Sequence, residues 1–303
     1  MRKNVVAIIV TYNRKALLRK VIAAVSDQSY SVSTVIIVDN NSTDGTYDFI
    51  ADQLSEHIIY RNTGGNLGGA GGFYFGFKEA EKYNYDYLWL MDDDLMPVPS
   101  CLEHLIGSAQ QGISQPIRYN IDETCAELSP LTYDLSNPFK INPKGKTIKE
   151  YINNLSVLPR TIAIAAIPFE GPLIHRNVVN KVGFPEPRFF IFCDDIEYAI
   201  KTTREEIPIV CDTQAKAYRL LVNNQGNDLL SWKGYFMLRN LFYLHKKYGT
   251  NMFVRNKSLI IALGYGLSCL LKGQVSQVKI IWHAFWDSST LKNTELYKPG
   301  TKP

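Results

Sequence analysis

The residues with the greatest capacity for chemistry are Asp92, Asp93 and Asp94, which follow the apolar run LWLM. Three adjacent carboxylates at the end of a buried strand repel one another and carry a heavy desolvation cost, so the cluster calls for a counter-charge. If the strand runs through the triplet, Asp92 and Asp94 share one face and Asp93 takes the other. Two carboxylates on one face suit a hard divalent cation such as Mg²⁺ or Mn²⁺. The alternative is a solvated acidic turn ahead of the helix that Pro97, Pro99 and Ser100 announce. A second acidic pair, Asp194 and Asp195, follows the aromatic run FFIFC, with Glu197 two positions on. Neighbouring carboxylates beside an apolar wall hold their protons to higher pH, which suits general-base work. Acids are equally at home at a helix N-terminus.

Other chemistry-bearing residues recur at the ends of apolar runs. Thr11, Tyr12, Asn13 and Arg14 close VVAIIV with a hydroxyl, an aromatic face and a permanent cation. Arg14 could pair bidentately with a diphosphate, or be an ordinary exposed charge. Asp39 ends TVIIV as Asp92 ends LWLM; it could accept from a base N–H or a ribose hydroxyl, or simply open a turn with Asn40 and Asn41. GGNLGGAGGF holds six glycines between Gly64 and Gly72. Such a segment lets backbone amides approach a ligand, or is merely flexible. It is neither a Walker A loop nor a strict GxGxxG, and within it Asn66 could read a base or sugar.

The elements that must hold these residues alternate in type. VVAIIVTY, TVIIVD, HIIYRN and YLWLM have the apolar density of strands, and FFIFC that of an aromatic strand. KALLRKVIAAVSDQ, TYDFIADQL and FYFGFKEAEKY have helical spacing, the second capped by Ser42 or Thr43. This alternation predicts an α/β fold with a mostly parallel sheet covered on both faces, whose ligands sit beyond the carboxyl ends of the strands. TYNR, Asp39 and the triplet all fall there. From Pro116 to Pro159 no periodicity is visible. After Trp232 the chain is helical and increasingly amphipathic.

A chain of 303 residues with 46% hydrophobic and 20% charged residues has ample material for a core. Its net charge of +4 comes with no basic-aromatic motif, so nucleic acid is not an expected partner. Five cysteines, an odd number without CxxC spacing, fit a reducing, cytoplasmic setting. SLIIALGYGLSCLL, from Ser258 to Leu271, falls short of a spanning helix but is flanked by Arg255, Lys257, Lys272 and Lys279. With Trp282 and Trp286 beyond it, the segment fits either an interfacial membrane anchor or a helical hairpin packed on its own domain or on a second subunit.

Taken in order, TYNR, VDNNSTDGT, GNLGGAGGF, WLMDDDLMP and FFIFCDDIEY resemble the family 2 glycosyltransferases over about residues 4 to 250. The glycine segment together with DDD is most similar to the galactofuranosyltransferase-like branch, with related rhamnosyltransferases sharing parts of it. The resemblance implies a GT-A fold: a Rossmann-like nucleotide half over 1–115, an acceptor half over 116–250, and C-terminal amphipathic helices over 251–303. It implies metal-dependent, inverting transfer from a nucleotide sugar, UDP-galactofuranose being the first candidate, to a lipid-linked or polysaccharide acceptor. A peripheral location at the inner face of the cell membrane would follow, with a homo-oligomer as the other use of the C-terminal helices. Thr11, Tyr12 and Arg14, with Gly68 and Gly69, would line the nucleotide site; Asp39 and Asn66 would contact uridine or ribose. Asp92 and Asp94 would hold Mg²⁺ or Mn²⁺, Asp93 would face the donor sugar, and Asp195, supported by Asp194 and Glu197, would be the base. The family's metal-binding histidine is missing near Ala217 to Arg219, so Arg219 could supply charge instead, with His175 a less favoured substitute ligand. Trp232, Tyr235, Arg239 and Asn240 would shape the acceptor side or simply pack. A nucleotidyltransferase would want an N-terminal GxGxR-type loop that VTYNR does not supply, and a non-catalytic sugar-nucleotide-binding scaffold is favoured only by the missing histidine.

Overall fold

The computed structural model describes residues 2–153, 155, 157–221, 231–292 and 295–299. In chain order the elements are β1 (Val5–Thr11), α1 (Lys15–Ser26), β2 (Thr34–Asp39), α2 (Thr46–Ala51), β3 (Ile58–Asn62), α3 (Gly68–Ala80), β4 (Tyr87–Asp92), β5 (Leu95–Pro97), α4 (Cys101–Ala109) and β6 (Ile113–Asn120). They continue as α5 (Ile148–Ile152), β7 (Thr161–Ala163), β8 (Leu173–His175), α6 (Arg176–Val182), α7 (Asp194–Arg204), β9 (Ile209–Arg219), α8 (Trp232–Tyr248), α9 (Met252–Leu271) and α10 (Val275–Asp287). The chain divides into two units, one of Met1–Thr132, Lys146–Pro187 and Asp195–Val222, the other of Tyr133–Gly145, Arg188–Asp194 and Asn223–Pro303.

The first unit carries one mixed sheet in the order β3-β2-β1-β4-β8-β6-β9-β5, with β7 paired to β9. Strands β3, β2, β1 and β4 are parallel, as their unbroken apolar runs require, while β8 joins β4 antiparallel. Alternate residues of β1 serve opposite faces. Val5, Ala7 and Ile9 join Leu18, Val21 and Val25 of α1 and Leu102 and Leu105 of α4 in one core. Ile8 and Val10 meet α3, where a Cβ on Gly72 would stand 2.5 Å from Val10 Cγ1 and one on Gly76 would collide with Ile8 Cγ2. The glycines of the GGNLGGAGGF segment therefore bring a helix close to the sheet. The helix begins at Gly68, five residues before the start that FYFGFKEAEKY suggests, and Phe73, Phe77, Phe169, Phe184 and Tyr198 fill the space beside it.

Three further expectations are corrected. Helix α2 starts after Gly45, at φ +79, and Asp44 Oδ1 accepts from both Thr46 N and its hydroxyl; neither Ser42 nor Thr43 caps it. Strand β4 ends at Asp92, so Asp93 and Asp94 form a turn into β5 and the alternation of strand faces stops there. FFIFC is not a strand: Phe190, Phe192 and Cys193 have φ of 65°, 66° and 67°. The segment without periodicity continues β6 to Asn120, pairs it parallel with β9, and contains the short capped helix α5.

In the second unit α8, α9 and α10 share a core of Phe236, Phe242, Ile261, Ala262, Ile280, Ile281 and Ala284, joined by Phe190 and Tyr297. Helix α8 thus shares its core with α9 and α10. No helix among the described residues is long and apolar enough to cross a membrane.

Candidate functional site

Residues at the carboxyl end of β1 converge on the aspartate triplet at the end of β4. Asp93 is buried and receives the Thr11 hydroxyl at 2.7 Å, the Tyr12 amide at 3.3 Å and Arg14 Nη1 at 3.0 Å. The same Arg14 nitrogen stands 3.2 Å from Asp94 Oδ2, so one half-exposed guanidinium spans two of the three carboxylates. Asp93 thereby fixes the start of the TYNR loop, and Thr11, itself buried, supplies a hydrogen bond to it. Burial raises Asp92 well above the usual carboxylate range, with Asp94 and Glu170 adding to the rise. Burial and Glu170 push Asp94 up to about 6 against the pull of Arg14 and Arg219. Arg14 is ion-paired with Asp93 and Asp94.

Asp39 sits at the carboxyl end of β2, fully buried, accepting from Ser42 N at 2.8 Å and from Tyr60 Oη at 2.6 Å. Burial, followed by this bond, raises the Tyr60 phenol to about 12. The β1–α1 and β2–α2 loops are laced together: Asn13 Oδ1 accepts from Thr43 N, Ser42 Oγ from Asn13 N, and Asp44 Oδ2 from Lys15 N. Asn66 Oδ1 accepts from Gly68 N at 2.9 Å and so opens α3, while buried Asn40 donates to Gly68 O at 3.0 Å. A Cβ on Gly69 would meet nothing within 4 Å, so this glycine borders open space at the first turn of α3.

Sequence reasoning missed Glu170. This carboxylate, in the turn FEGP, pairs with buried Arg118 and with Arg219, whose Nε is 3.3 Å from Glu170 Oε2. Burial alone would raise Glu170, yet Arg118 and Arg219 hold it below the usual range. Arg118 also pairs with buried Glu127 at 2.8 Å. Gly171, at φ +99, makes the turn possible, because a Cβ there would press on Pro116 and Leu95. Arg219 reaches the site because β5, which follows the triplet, pairs antiparallel with β9 and sets Leu95 opposite Arg219. The lone Glu in FEGP has no spacing that announces it; only the fold brings β9, β6 and this turn together.

The acidic pair lies elsewhere in the chain. Asp194 begins α7, Asp195 follows in its first turn with Oδ1 accepting from Ile196 N, and Glu197 stands 3.4 Å from Lys201 Nζ. In the second unit the segment leading to Asp194 is held by α8. Asn240 Nδ2 donates to the carbonyls of Phe189, Ile191 and Phe192 at 3.2, 2.7 and 2.8 Å, and Arg239 Nη2 donates to those of Arg188 and Phe189 at 2.9 Å each. Tyr235 donates to Asp287 and stacks on Tyr297, and Trp232 packs edge-on against Phe236. His175 caps α6, accepting from Asn177 N at Nδ1, which accounts for it without a metal. Among the described residues, no group of three or more His, Cys, Asp or Glu is placed to hold a metal ion.

Comparison with known proteins places these residues in a family. A galactofuranosyltransferase GlfT1 of Mycolicibacterium smegmatis is 27% identical over 213 residues, 67% of this chain and 67% of that protein. The GlfT1 of Mycobacterium tuberculosis is 27% identical over 220 residues, 69% of this chain and 67% of its own. Among solved structures, the mannosyltransferase PcManGT from Pyrobaculum calidifontis, in complex with GDP-Man and Mn²⁺, aligns with a TM-score of 0.56 at 14% identity over 97% of this chain and 89% of its own. GalNAc-T7, crystallised with UDP, GalNAc and Mn²⁺, aligns with a TM-score of 0.58 at 11% identity over 82% of this chain and 52% of its own. The fold is GT-A. The family model "Glycosyl transferase family 2" matches residues 6–164, and the chain belongs to that family of glycosyltransferases.

Proposed function

We propose that this glycosyltransferase transfers galactofuranose from UDP-galactofuranose to a hydroxyl of a lipid-linked or polysaccharide acceptor, with inversion. The observation that carries the reading is the convergence of Arg14, Asp39 and the aspartate triplet at the carboxyl ends of β1, β2 and β4. Similarity to the GlfT1 proteins supports galactofuranose over other donors. Asp39 and Asn66 would bind the nucleoside, with the amide of Gly69 bordering the diphosphate. Asp92 and Asp94 would suit a divalent cation, because burial and the neighbouring carboxylates hold both above their usual range and a cation would relieve that repulsion. Mg²⁺ or Mn²⁺, when bound, would neutralise charge on the departing diphosphate. With only two aspartates as side-chain ligands, phosphate and water would complete its shell. Arg14 holds Asp93 and Asp94 in place, and the charge of Arg219 also acts on Asp94. Asp195 would take the proton from the acceptor hydroxyl as that oxygen attacks the anomeric carbon opposite the diphosphate. The C–O bond to the acceptor forms as the C–O bond to phosphate breaks, and UDP leaves with the bonding pair.

The test is release of the nucleoside diphosphate (UDP or TDP) with a lipid-linked acceptor, comparing UDP-galactofuranose, UDP-galactose and TDP-rhamnose in Mn²⁺ and in EDTA. Turnover of UDP-galactofuranose that EDTA abolishes and Asp195→Ala reduces by at least about 10³-fold is expected. Turnover of TDP-rhamnose alone would move the donor assignment to the rhamnosyl reading. No turnover of any donor, with Asp195→Ala indistinguishable from wild type, would sink the catalytic assignment.

A further inference from the structure

Among the described residues of the second unit, one face of α9 has no partner. Its core side uses Val254, Ser258, Ile261, Ala262 and Gly266. The opposite side carries Met252, Ile260, Leu263, Leu267 and Leu271 at helical spacing, all exposed, with Ile260 at 71% and Leu271 at 80%. An apolar stripe of this length on a soluble surface marks a contact with something else. A loop bonded to the start of α9 extends the same character. Thr250 N donates to Leu135 O, Asn251 Nδ2 to Ser136 O, and Lys257 Nζ to the carbonyls of Asn137 and Lys140. These bonds pin to the start of α9 a loop that carries Phe139, 92% exposed, and Ile141, 60% exposed.

Charge identifies the occupant. From Ser231 to Lys292 the sequence has nine Lys and Arg against the single acid Asp287, a net charge of +8. The whole chain carries +4, so the remainder is net −4 and the positive charge is concentrated in this unit. Lys272 and Lys279, at the end of α9 and within α10, are exposed, as is Trp286. A second copy docking by a two-fold axis would set two such positive units against each other. An anionic bilayer attracts both components, taking the apolar stripe into the headgroup–acyl boundary and the lysines onto its phosphates. Helix α9 has 20 residues but is not apolar enough to span, so it lies along the surface. We propose that the outward face of α9, with the Phe139–Ile141 loop, is a docking surface for an anionic phospholipid bilayer.

The experiment is flotation of the full chain with vesicles of phosphatidylcholine alone or with about 30 mol% phosphatidylglycerol. Binding should be at least about tenfold tighter to the anionic vesicles and should weaken as salt rises from about 0.1 to 0.5 M. Lys272→Glu with Lys279→Glu should weaken it by more than about tenfold, since each basic residue near the surface contributes roughly fivefold. Ile260→Ser with Leu267→Ser, and separately Phe139→Ser, should reduce it while circular dichroism stays unchanged; all three positions are exposed. Equal binding to neutral and anionic vesicles, or full binding by the variants, would overturn the proposal. So would self-association that Ile260→Ser with Leu267→Ser dissolves in a wild-type chain that binds no vesicles, which would assign the face to a second copy. Flotation needs no donor or acceptor, so its outcome is independent of the sugar transferred.

Discussion

Arg219 Nε lies 3.3 Å from Glu170 Oε2, so the cation that ends β9 is already paired with a carboxylate whose charge Asp94 also feels. The position where a metal-binding histidine was expected carries instead one end of a buried chain of alternating charges, Glu127–Arg118–Glu170–Arg219. Glu170→Gln should break its pairs with Arg118 and Arg219. Removing one member of a buried pair costs about 3 kcal/mol, and the partial exposure of Glu170 brings the expectation nearer about 2. Urea denaturation should show a lower midpoint at unchanged slope. An unchanged midpoint would mean the chain of charges contributes nothing to stability.

The glycines of α3 separate into two kinds. Gly72→Ala should lower stability by about 1–3 kcal/mol, because the new methyl would stand 2.5 Å from Val10 Cγ1 and must push the helix off β1. Gly69→Ala meets nothing and should leave the fold as stable or more so, by up to about 1 kcal/mol. If the Gly69 amide lies against the diphosphate, the same change should raise the donor KM. Calorimetry and initial rates on the two variants resolve the pair.

Asn240 links α8 to the segment that leads into Asp194. Its amide holds three carbonyls around Phe190 and Phe192, which sit in left-handed conformations that each cost of order 1 kcal/mol or more. Asn240→Ala should release that backbone, leave carbonyls unsatisfied and lower stability by about 1–3 kcal/mol. If Asp195 is the base, kcat should fall while the donor KM changes little. A donor KM that rises with kcat constant would instead place Asn240 with donor binding.

What the sequence disclosed and what it withheld divide by the range of the interaction. The β–α alternation and the placing of Asp39 and Asp92 at strand ends are local patterns, and they were legible. The role of Gly72 and Gly76 depends on Val10 and Ile8, some sixty residues away, so a glycine-rich stretch was open to being taken for a ligand loop. FFIFC has the aromatic content of a strand, but Asn240, on a helix far along the chain, captures its carbonyls. Glu170 shows only as a single acid in FEGP, and its meaning comes from two arginines on separate strands.

His245 is buried in α8 with both ring nitrogens unpartnered among the described residues, and burial, with Lys257 adding to it, lowers its pKa to about 4. In the unfolded chain it titrates near 6.5, so between those values the unfolded state binds the extra proton. Stability from this residue is therefore full above about pH 7 and is lost as pH falls toward 4, by up to about 3 kcal/mol. His245→Leu should flatten that part of the profile, measured as the difference in urea midpoints between pH 7.5 and 5.

Metal affinity should follow the titration of the triplet. Without a cation, Asp94 holds its proton up to about pH 6 and Asp92 holds one well above the usual carboxylate range. A divalent ion binding there must displace those protons, so its apparent affinity should fall as pH drops below about 7, by up to about tenfold per unit for each proton released. Arg14→Ala should move the curve to higher pH, because the guanidinium favours the charged form of both Asp93 and Asp94. It would also remove a cation that repels the incoming ion, which by itself strengthens binding. The two effects separate in the data: the first moves the midpoint of the pH profile, the second lifts the plateau above it. Mn²⁺ titration between pH 5 and 8 on wild type and Arg14→Ala reads both. A wild-type affinity constant across that range would mean that the ion, if it binds, does not bind through Asp92 and Asp94.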